Sequence, residues 1–446
     1  MVSSHGDPRD AAARLRDPAY VKLLIVAAIL GVPVSAAAYG FLALVSYLQK
    51  ELFTHLPHGL GFTTTPAWWP LPVLLTGGVL AGLAIRYLPG GGGPSPAHGF
   101  AMHAPPGAAQ LPGVLAAALA TLAFGAVLGP ELPLIMLGGG LAVLAVRLAG
   151  RGKVPGQGVQ VIGSAGSFAA ISTLLGSPIA GAFLLMEASG LGGPTMSMVL
   201  VPGLVASGVG ALIFVGLDSL TGLGTFALTL PGLPPFSRPD VAEFGWAIVI
   251  GLAAAVIGTA IRRLGLFPHP YAVRRPLLMA PLACAVVALL TIIYTEATGK
   301  PSSDVLFSGQ DAMARLVGQA GGYSVGALVL LLACKGIAYG ASLSSLRGGP
   351  IFPALFTGAV GGIALSHLPG LPLVAGIAMG IGAMSVVMLT LPLTSVLMAS
   401  LLLGSDAVPV MPLVIVAVAV AYVAGARLAP APAAPADTPA TPATPR

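Results

Sequence analysis

Charge is scarce in this chain: only 8% of its 446 residues are Asp, Glu, Lys or Arg. A soluble domain carries about 25%, so a water-facing surface cannot be covered and a soluble enzyme is excluded. Cysteine is nearly absent as well; Cys284 and Cys334 both lie inside apolar runs. Two such thiols make no disulfide framework and no metal-binding spacing. A secreted disulfide scaffold is therefore excluded, and no metal or cofactor is expected. The net charge of +6, from 20 basic and 14 acidic residues, reads as a membrane topology signal rather than a nucleic-acid patch. None of the seven histidines pairs with a Ser or Cys at a spacing suited to nucleophilic catalysis. The acidic candidates at depth, Glu131 and Glu187, lie in separate short helices, so an intramembrane protease is not expected either.

What the chain has in abundance is apolar surface. Hydrophobic residues make up 56% and the mean hydropathy is +0.95. Its 61 glycines and 41 prolines are about twice the usual share, and both residues are better tolerated in membrane helices than in soluble ones. The chain is a polytopic, all-α membrane protein. Spanning helices of about 20 apolar residues are expected over 20–48, 67–88, 111–128, 196–215, 243–264, 276–293 and 325–338. Shorter or broken apolar pieces, read as tilted or half-membrane helices, fall at 132–148, 159–175, 178–189, 350–365, 373–383, 392–403 and 412–426.

Residues 1–19 read as an N-terminal segment without signal-peptide character, and 429–446 as a disordered Ala/Pro/Thr-rich tail. The polar linker 217–238 separates two membrane stretches, 20–216 and 239–428. Arg14, Arg16 and Lys22, Arg147, Arg151 and Lys153, and Arg262, Arg263, Arg274 and Arg275 place their loops, and both termini, on the cytoplasmic side. The Arg-, Ala-, Gly- and Pro-rich composition suggests a bacterial plasma membrane.

The two stretches echo each other. Gly129-Pro130-Glu131-Leu132-Pro133 returns as Gly349-Pro350-Ile351-Phe352-Pro353, each followed by a small-residue-rich helix. Further on, Pro178-Ile-Ala-Gly and Pro392-Leu-Thr-Ser each open another short helix. Two halves with matching broken segments point to a transporter fold with its site at the repeat interface. Each G-P-x-x-P reads as a helix start with Pro at the first helical position. Such a start offers unpaired N–H groups and a partial positive charge, and two of them converging would form an anion site. Glu131 sits inside one start. A carboxylate at that depth costs about 2.5–3.5 kcal/mol to insert, which makes it a functional candidate. It could occupy the anion site as a tethered competitor, and leave when protonated or swung away.

On these residues the chain resembles the CLC chloride channels and proton/chloride exchangers, as a divergent bacterial-type member without CBS domains. The family's G-R-E-G-P motif aligns on Gly129–Pro133, its G-x-F-x-P on Gly349–Pro353, and its A-P-L-A-G…E-E stretch on Ser177–Gly181 through Glu187 and Ala188. Its G-S-G-I-P loop falls on Gly90–Gly93 and Pro94, and a later A-P-L-T match on Leu391–Thr394. The resemblance implies two inverted repeats, a homodimer, and a path for chloride or a similar small anion. Glu131 would be the gate, with helix starts at Gly92, Gly93 and Pro94, at Glu131 and Leu132, and at Ile351 and Phe352 lining the way. Segments 196–215 and 392–403 correspond to the family's dimer interface.

Departures from the family pattern matter equally. The coordinating Ser of the first loop aligns on Gly92, with Ser95 nearby, and no Tyr follows Tyr422 where the family places one. Pro130 and Pro350 lack an N–H, so a donor-poor site is expected. The family's inner proton-transfer glutamate aligns on Ala188, which cannot hold a proton. Passive anion conduction is the expected mode, with proton-coupled exchange of chloride, fluoride or nitrate as the alternative. Lys335 is expected to snorkel, to act structurally or to lure anions, and Arg347 to add positive potential at a pore mouth.

Overall fold

The computed structural model describes residues 17–149, 156–190, 193–228, 230, 233–236, 238–404 and 407–429. Residues 1–16 and 430–446, with Arg14, Arg16, Arg151 and Lys153, lie outside the described residues.

The first half contains α1 (Pro18–Lys50), continued by a π-helical turn (Glu51–His55) into α2 (Leu56–Gly59), then α3 (Pro70–Tyr87), α4 (Leu111–Leu122), α5 (Glu131–Ala149), α6 (Gly156–Ala170), α7 (Pro178–Ser189) and α8 (Gly193–Thr221). The second half contains α9 (Val241–Leu266), α10 (His269–Arg274), α11 (Pro276–Thr298), α12 (Gln310–Gly318), α13 (Val325–Ser345), α14 (Ile351–Leu365), α15 (Leu373–Leu389), α16 (Pro392–Leu402) and α17 (Ala407–Leu428). Local chemistry sets the ends. The Asp240 side chain accepts from the Glu243 N–H, and the Glu243 carboxylate accepts from the Asp240 N–H, which opens α9. Ser177 and Ser324 cap α7 and α13, while left-handed Gly190 and Gly299 end α7 and α11.

Eight helical stretches among the described residues are long and apolar enough to cross a membrane. Three differ from the sequence expectation. The piece read as short at 412–426 is part of the 22-residue α17, because Pro412 falls within the first turns of a helix that begins at Ala407. The helix expected over 111–128 stops at Leu122, because the backbone beyond it is committed elsewhere: Gly125 turns left-handed and its carbonyl accepts from the Phe307 N–H. Conversely, 132–148 is part of the unbroken 19-residue α5, since its three consecutive glycines face close neighbours instead of breaking the helix.

The all-helical fold is made of two inverted-topology repeats, and their correspondence shows in how the helices after the two G-P-x-x-P motifs pack. α5 crosses α6 with Gly138 against Gly166, and α14 crosses α15 with Gly358 against Gly380 and Gly362 against Gly376. At each crossing an added methyl would land on the facing carbonyl oxygen. Small residues let membrane helices approach backbone to backbone. Gly358 and Gly362, like Gly376 and Gly380, stand four apart and so share one helix face.

Adjacent glycines on α14 separate packing from propensity. Gly362→Ala drives its methyl into the Gly376 carbonyl, whereas Gly361→Ala meets nothing within 4 Å. Thermal melts in detergent should show Gly362→Ala destabilised by about 1–3 kcal/mol and Gly361→Ala no less stable than the parent.

Candidate functional site

The two G-P starts meet. Gly129 and Gly349 form an isolated antiparallel bridge in which the Gly129 N–H donates to the Gly349 carbonyl at 2.8 Å and the Gly349 N–H returns a bond of 2.6 Å. Each motif's only glycine amide is thus consumed by the other, and neither following proline has an N–H to offer. Pro350 is the N-cap of α14 rather than its first helical residue, and Glu131 begins α5.

The Glu131 side chain folds back into this junction and is 0% exposed. Its Oε1 accepts a hydrogen bond from the Ile351 N–H, and the amides of Phe352 and of Glu131 itself lie close enough to interact with it. Its Oε2 is buried without a hydrogen-bond partner. A carboxylate therefore sits on the positive end of a membrane helix from the opposite repeat, where a free anion would be stabilised by the same groups. Both glycines are required for this, because a methyl on Gly129 or Gly349 would fall on the Glu131 carboxyl group.

One face of α13 holds the surrounding irregular backbone. Lys335, Tyr339 and Ser342 recur at positions i, i+4 and i+7 and so share a face. The Lys335 Nζ donates to the carbonyls of Leu306 and Phe307 at 2.9 and 3.0 Å and lies 4.7 Å from the Phe356 ring centre on α14. The Tyr339 hydroxyl donates to the Pro350 carbonyl at 2.6 Å. The Ser342 Oγ accepts from the Val127 N–H at 3.1 Å. Lys335 is 0% exposed, so it does not snorkel: its ammonium finds partners deep inside. Tyr339 and Ser342 were not among the expected site residues, although three polar residues at helical spacing in an apolar run were a signal for them.

Asp304 is a second unforeseen centre. Its buried carboxylate accepts from the Tyr294 and Tyr323 hydroxyls and the Arg315 guanidinium, at 3.1, 2.9 and 2.6 Å. Burial and the Asp304 charge push the Tyr323 phenol up to about 12, so it stays a donor at neutral pH. Nothing in the local sequence pattern joined these four residues.

The remaining expected residues divide. Leu132, Pro133, Ile351, Phe352 and Pro353 are all buried in the first turns of α5 and α14. Gly92, Gly93 and Pro94 do not start a helix. Gly90 to Gly93 all adopt positive φ, a conformation only glycine takes readily, and they form a turn. The turn leads into a single 3-10 turn, Pro96–His98, whose cap Ser95 is occupied by the Ala97 N–H. Arg347 ties this turn to the second G-P start by donating to the Gly91 carbonyl at 3.3 Å. Glu187 is engaged: its carboxylate accepts from Leu393 N–H, Thr394 N–H and Thr394 Oγ at 3.0, 2.7 and 2.6 Å, capping α16 across the repeat boundary. Ala188 is half-buried and packs against the core. Tyr422 is 42% exposed on α17, whereas the Glu131 side chain at the junction is 0% exposed.

A cavity of about 400 Å³ reaches the junction at Leu128 and Pro130, with Lys50, Gln310, Asp311 and Arg315 among its lining.

Residues 77–425 match the pattern of the family described as voltage gated chloride channel. The chain belongs to that family. Proteins called YfeO from Escherichia coli O7:K1 and from Escherichia fergusonii, which carry a provisional designation as ion-transport proteins, are 30% identical over 361 residues, covering 78% of this chain and 80% of theirs. In fold, the chain is similar to a slow cyanobacterial Cl⁻/H⁺ antiporter, with a TM-score of 0.71 at 20% identity over 92% of this chain and 95% of the other. A CLC-type fluoride/proton antiporter gives 0.60 at 17%, over 90% and 95%. Membership of this family and the eight apolar spans make the chain a multi-pass integral membrane protein of an anion-transport family, not of a family of enzymes.

The Glu187 cap can be tested separately from any transport role. Glu187→Ala leaves the first amides of α16 unpaired and should lower stability by about 2 kcal/mol, read as an earlier thermal melt of the purified protein.

Proposed function

We propose that this protein moves chloride or a similar small anion through the Gly129–Gly349 junction, with the Glu131 carboxylate as a tethered anion that must leave before a free one can bind. The observation that carries this reading is the Ile351 N–H bond to Glu131, at the start of a helix from the other repeat. Backbone donors and helix ends are how selective ion paths bind anions without a bulky cation. The cavity at Pro130 gives an anion access to the junction from one side. On this reading Leu132, Ile351 and Phe352 line the path, Gly129 and Gly349 make room for the carboxylate, and Pro130, Pro133, Pro350 and Pro353 shape the two starts. The Gly92–Pro94 turn, Arg347 and Lys335 support the path, while Glu187 is structural.

Passive conduction is favoured by Ala188, which cannot carry a proton, and by Glu187, whose two oxygens are committed to α16. Proton-coupled exchange is the second reading. It is favoured by the unpartnered Glu131 Oε2, which is free to take a proton, and by the two proteins of similar fold, both antiporters. The repeats are 20–216 and 239–428, joined by the linker 217–238. The protein works as a homodimer, one path per subunit, in a bacterial plasma membrane with both termini cytoplasmic and no nucleic-acid partner.

Purified protein in vesicles with a chloride gradient separates the modes: uphill proton movement means exchange, and chloride flux without it means conduction. Running chloride, nitrate and fluoride side by side ranks the anions. Glu131→Gln should raise passive anion flux and flatten its pH dependence. Unchanged flux and pH response would remove Glu131 from the mechanism. Gly349→Ala displaces the carboxylate sterically and should shift flux in the same direction, a test that leaves Glu131 chemically intact.

A further inference from the structure

Donors at the junction are few. The amides of Gly129 and Gly349 bond to each other, Pro130 and Pro350 have none, and the Ile351 N–H donates to the Glu131 carboxylate. With the amides of Phe352 and of Glu131 itself as the only others close to the carboxylate, how strongly the Ile351 N–H donates bears directly on how well an anion is held. The Pro350–Ile351 peptide is held at both ends. Its carbonyl accepts from the Tyr339 hydroxyl at 2.6 Å, and its N–H faces the carboxylate. The helical bond onto the same carbonyl, from the Ala354 N–H, is long at 3.4 Å, so the phenol is the closer partner. Tyr339 is 0% exposed, which leaves it no water as an alternative partner. A hydrogen bond accepted by a peptide carbonyl polarises the group and strengthens what its N–H donates.

We propose that Tyr339 is a positioning residue for anion binding: through Pro350–Ile351 it orients and polarises the N–H that holds first the Glu131 carboxylate and then the free anion. This rests on the anion-transport reading above and adds a determinant of affinity to it. The ring alone does not suffice, because the effect is carried by the O–H. The same face of α13 fixes the flanking backbone through Lys335 and Ser342, so the phenol is held in register with the peptide it serves.

The test uses full-length protein in vesicles, with chloride flux measured over graded chloride concentrations, and chloride-dependent thermal stabilisation of the purified protein as a second readout. Measured in the Glu131→Gln background, where no tethered carboxylate competes for the same N–H, Tyr339→Phe should raise the half-saturating chloride about three- to tenfold, the equivalent of one hydrogen bond, and change maximal flux less than about twofold. Stabilisation by chloride should weaken in parallel. Tyr39→Phe removes another buried hydroxyl, paired with Thr221 Oγ at 2.6 Å, and should leave the half-saturating value unchanged. Incorporating 3-fluorotyrosine at position 339 keeps the ring and strengthens the donor, so half-saturating chloride should fall; this arm serves if Tyr339→Phe does not fold. The proposal is overturned if Tyr339→Phe lowers melting temperature or maximal flux with half-saturation unmoved, or if fluorination leaves half-saturation where it was. A parent protein that neither moves nor binds chloride overturns the transport reading and this proposal together. A parent that does both, with Tyr339→Phe indistinguishable from it, overturns this proposal alone.

Discussion

Backbone polar groups at membrane depth have no water to bond with, and each one left unpaired costs several kcal/mol. The central junction depends on that constraint. Two chain segments give up helical structure before Glu131 and Ile351, and their amides and carbonyls need other partners. The reciprocal bonds between Gly129 and Gly349 supply the innermost pair. Side chains of α13 supply the next layer, through Lys335, Tyr339 and Ser342. With the flanking groups satisfied, the start of α14 can present its first N–H to a carboxylate rather than to the chain itself. The exposure of that N–H to the Glu131 carboxylate is thus a consequence of how the broken backbone is satisfied.

The same constraint explains where the glycines sit. Those at 129 and 349 leave space for the Glu131 carboxyl group between two close backbones, and those at 138, 166, 358, 362, 376 and 380 let the helices beyond approach main chain to main chain. Close crossings on both sides of the junction brace the two starts against separation. Buried charge follows a similar economy. Lys335 and Arg315 stand near Asp304, whose carboxylate is met by the phenols of Tyr294 and Tyr323 and by Arg315. A buried carboxylate so fully partnered is held in place, and it anchors the start of the segment whose carbonyls Lys335 binds.

Much of the fold was legible in the chain. Charge scarcity and long apolar runs fixed a polytopic helical protein, and the twin G-P-x-x-P motifs fixed two corresponding halves with Glu131 at one of the starts. Boundaries failed where long-range bonds override local pattern. The apolar run after Leu111 continues in sequence, yet its helix ends at Leu122 because Gly125 bonds to Phe307. The glycine run at 90–93 has the look of a helix entrance, yet four successive positive φ angles make it a turn. Lys335 illustrates the reverse: alone in an apolar stretch it suggests snorkelling, but two carbonyls distant in sequence hold it inside.

Sequence by itself determined the solvent this protein lives in, its helical class, its duplicated design and the identity of the buried carboxylate, because these follow from composition and from local motifs. Only the tertiary structure decided what that carboxylate touches. Ile351 lies 220 positions from Glu131, at the matching place of the second G-P-x-x-P, and the repeat alone does not say that the amide of one donates to the side chain of the other. The partnership of Tyr339 with Pro350, of Glu187 with the start of α16, and of Asp304 with three donors is likewise settled by packing. Hydrogen bonds act over about 3 Å, and which groups come that close depends on the crossing of helices rather than on their order along the chain.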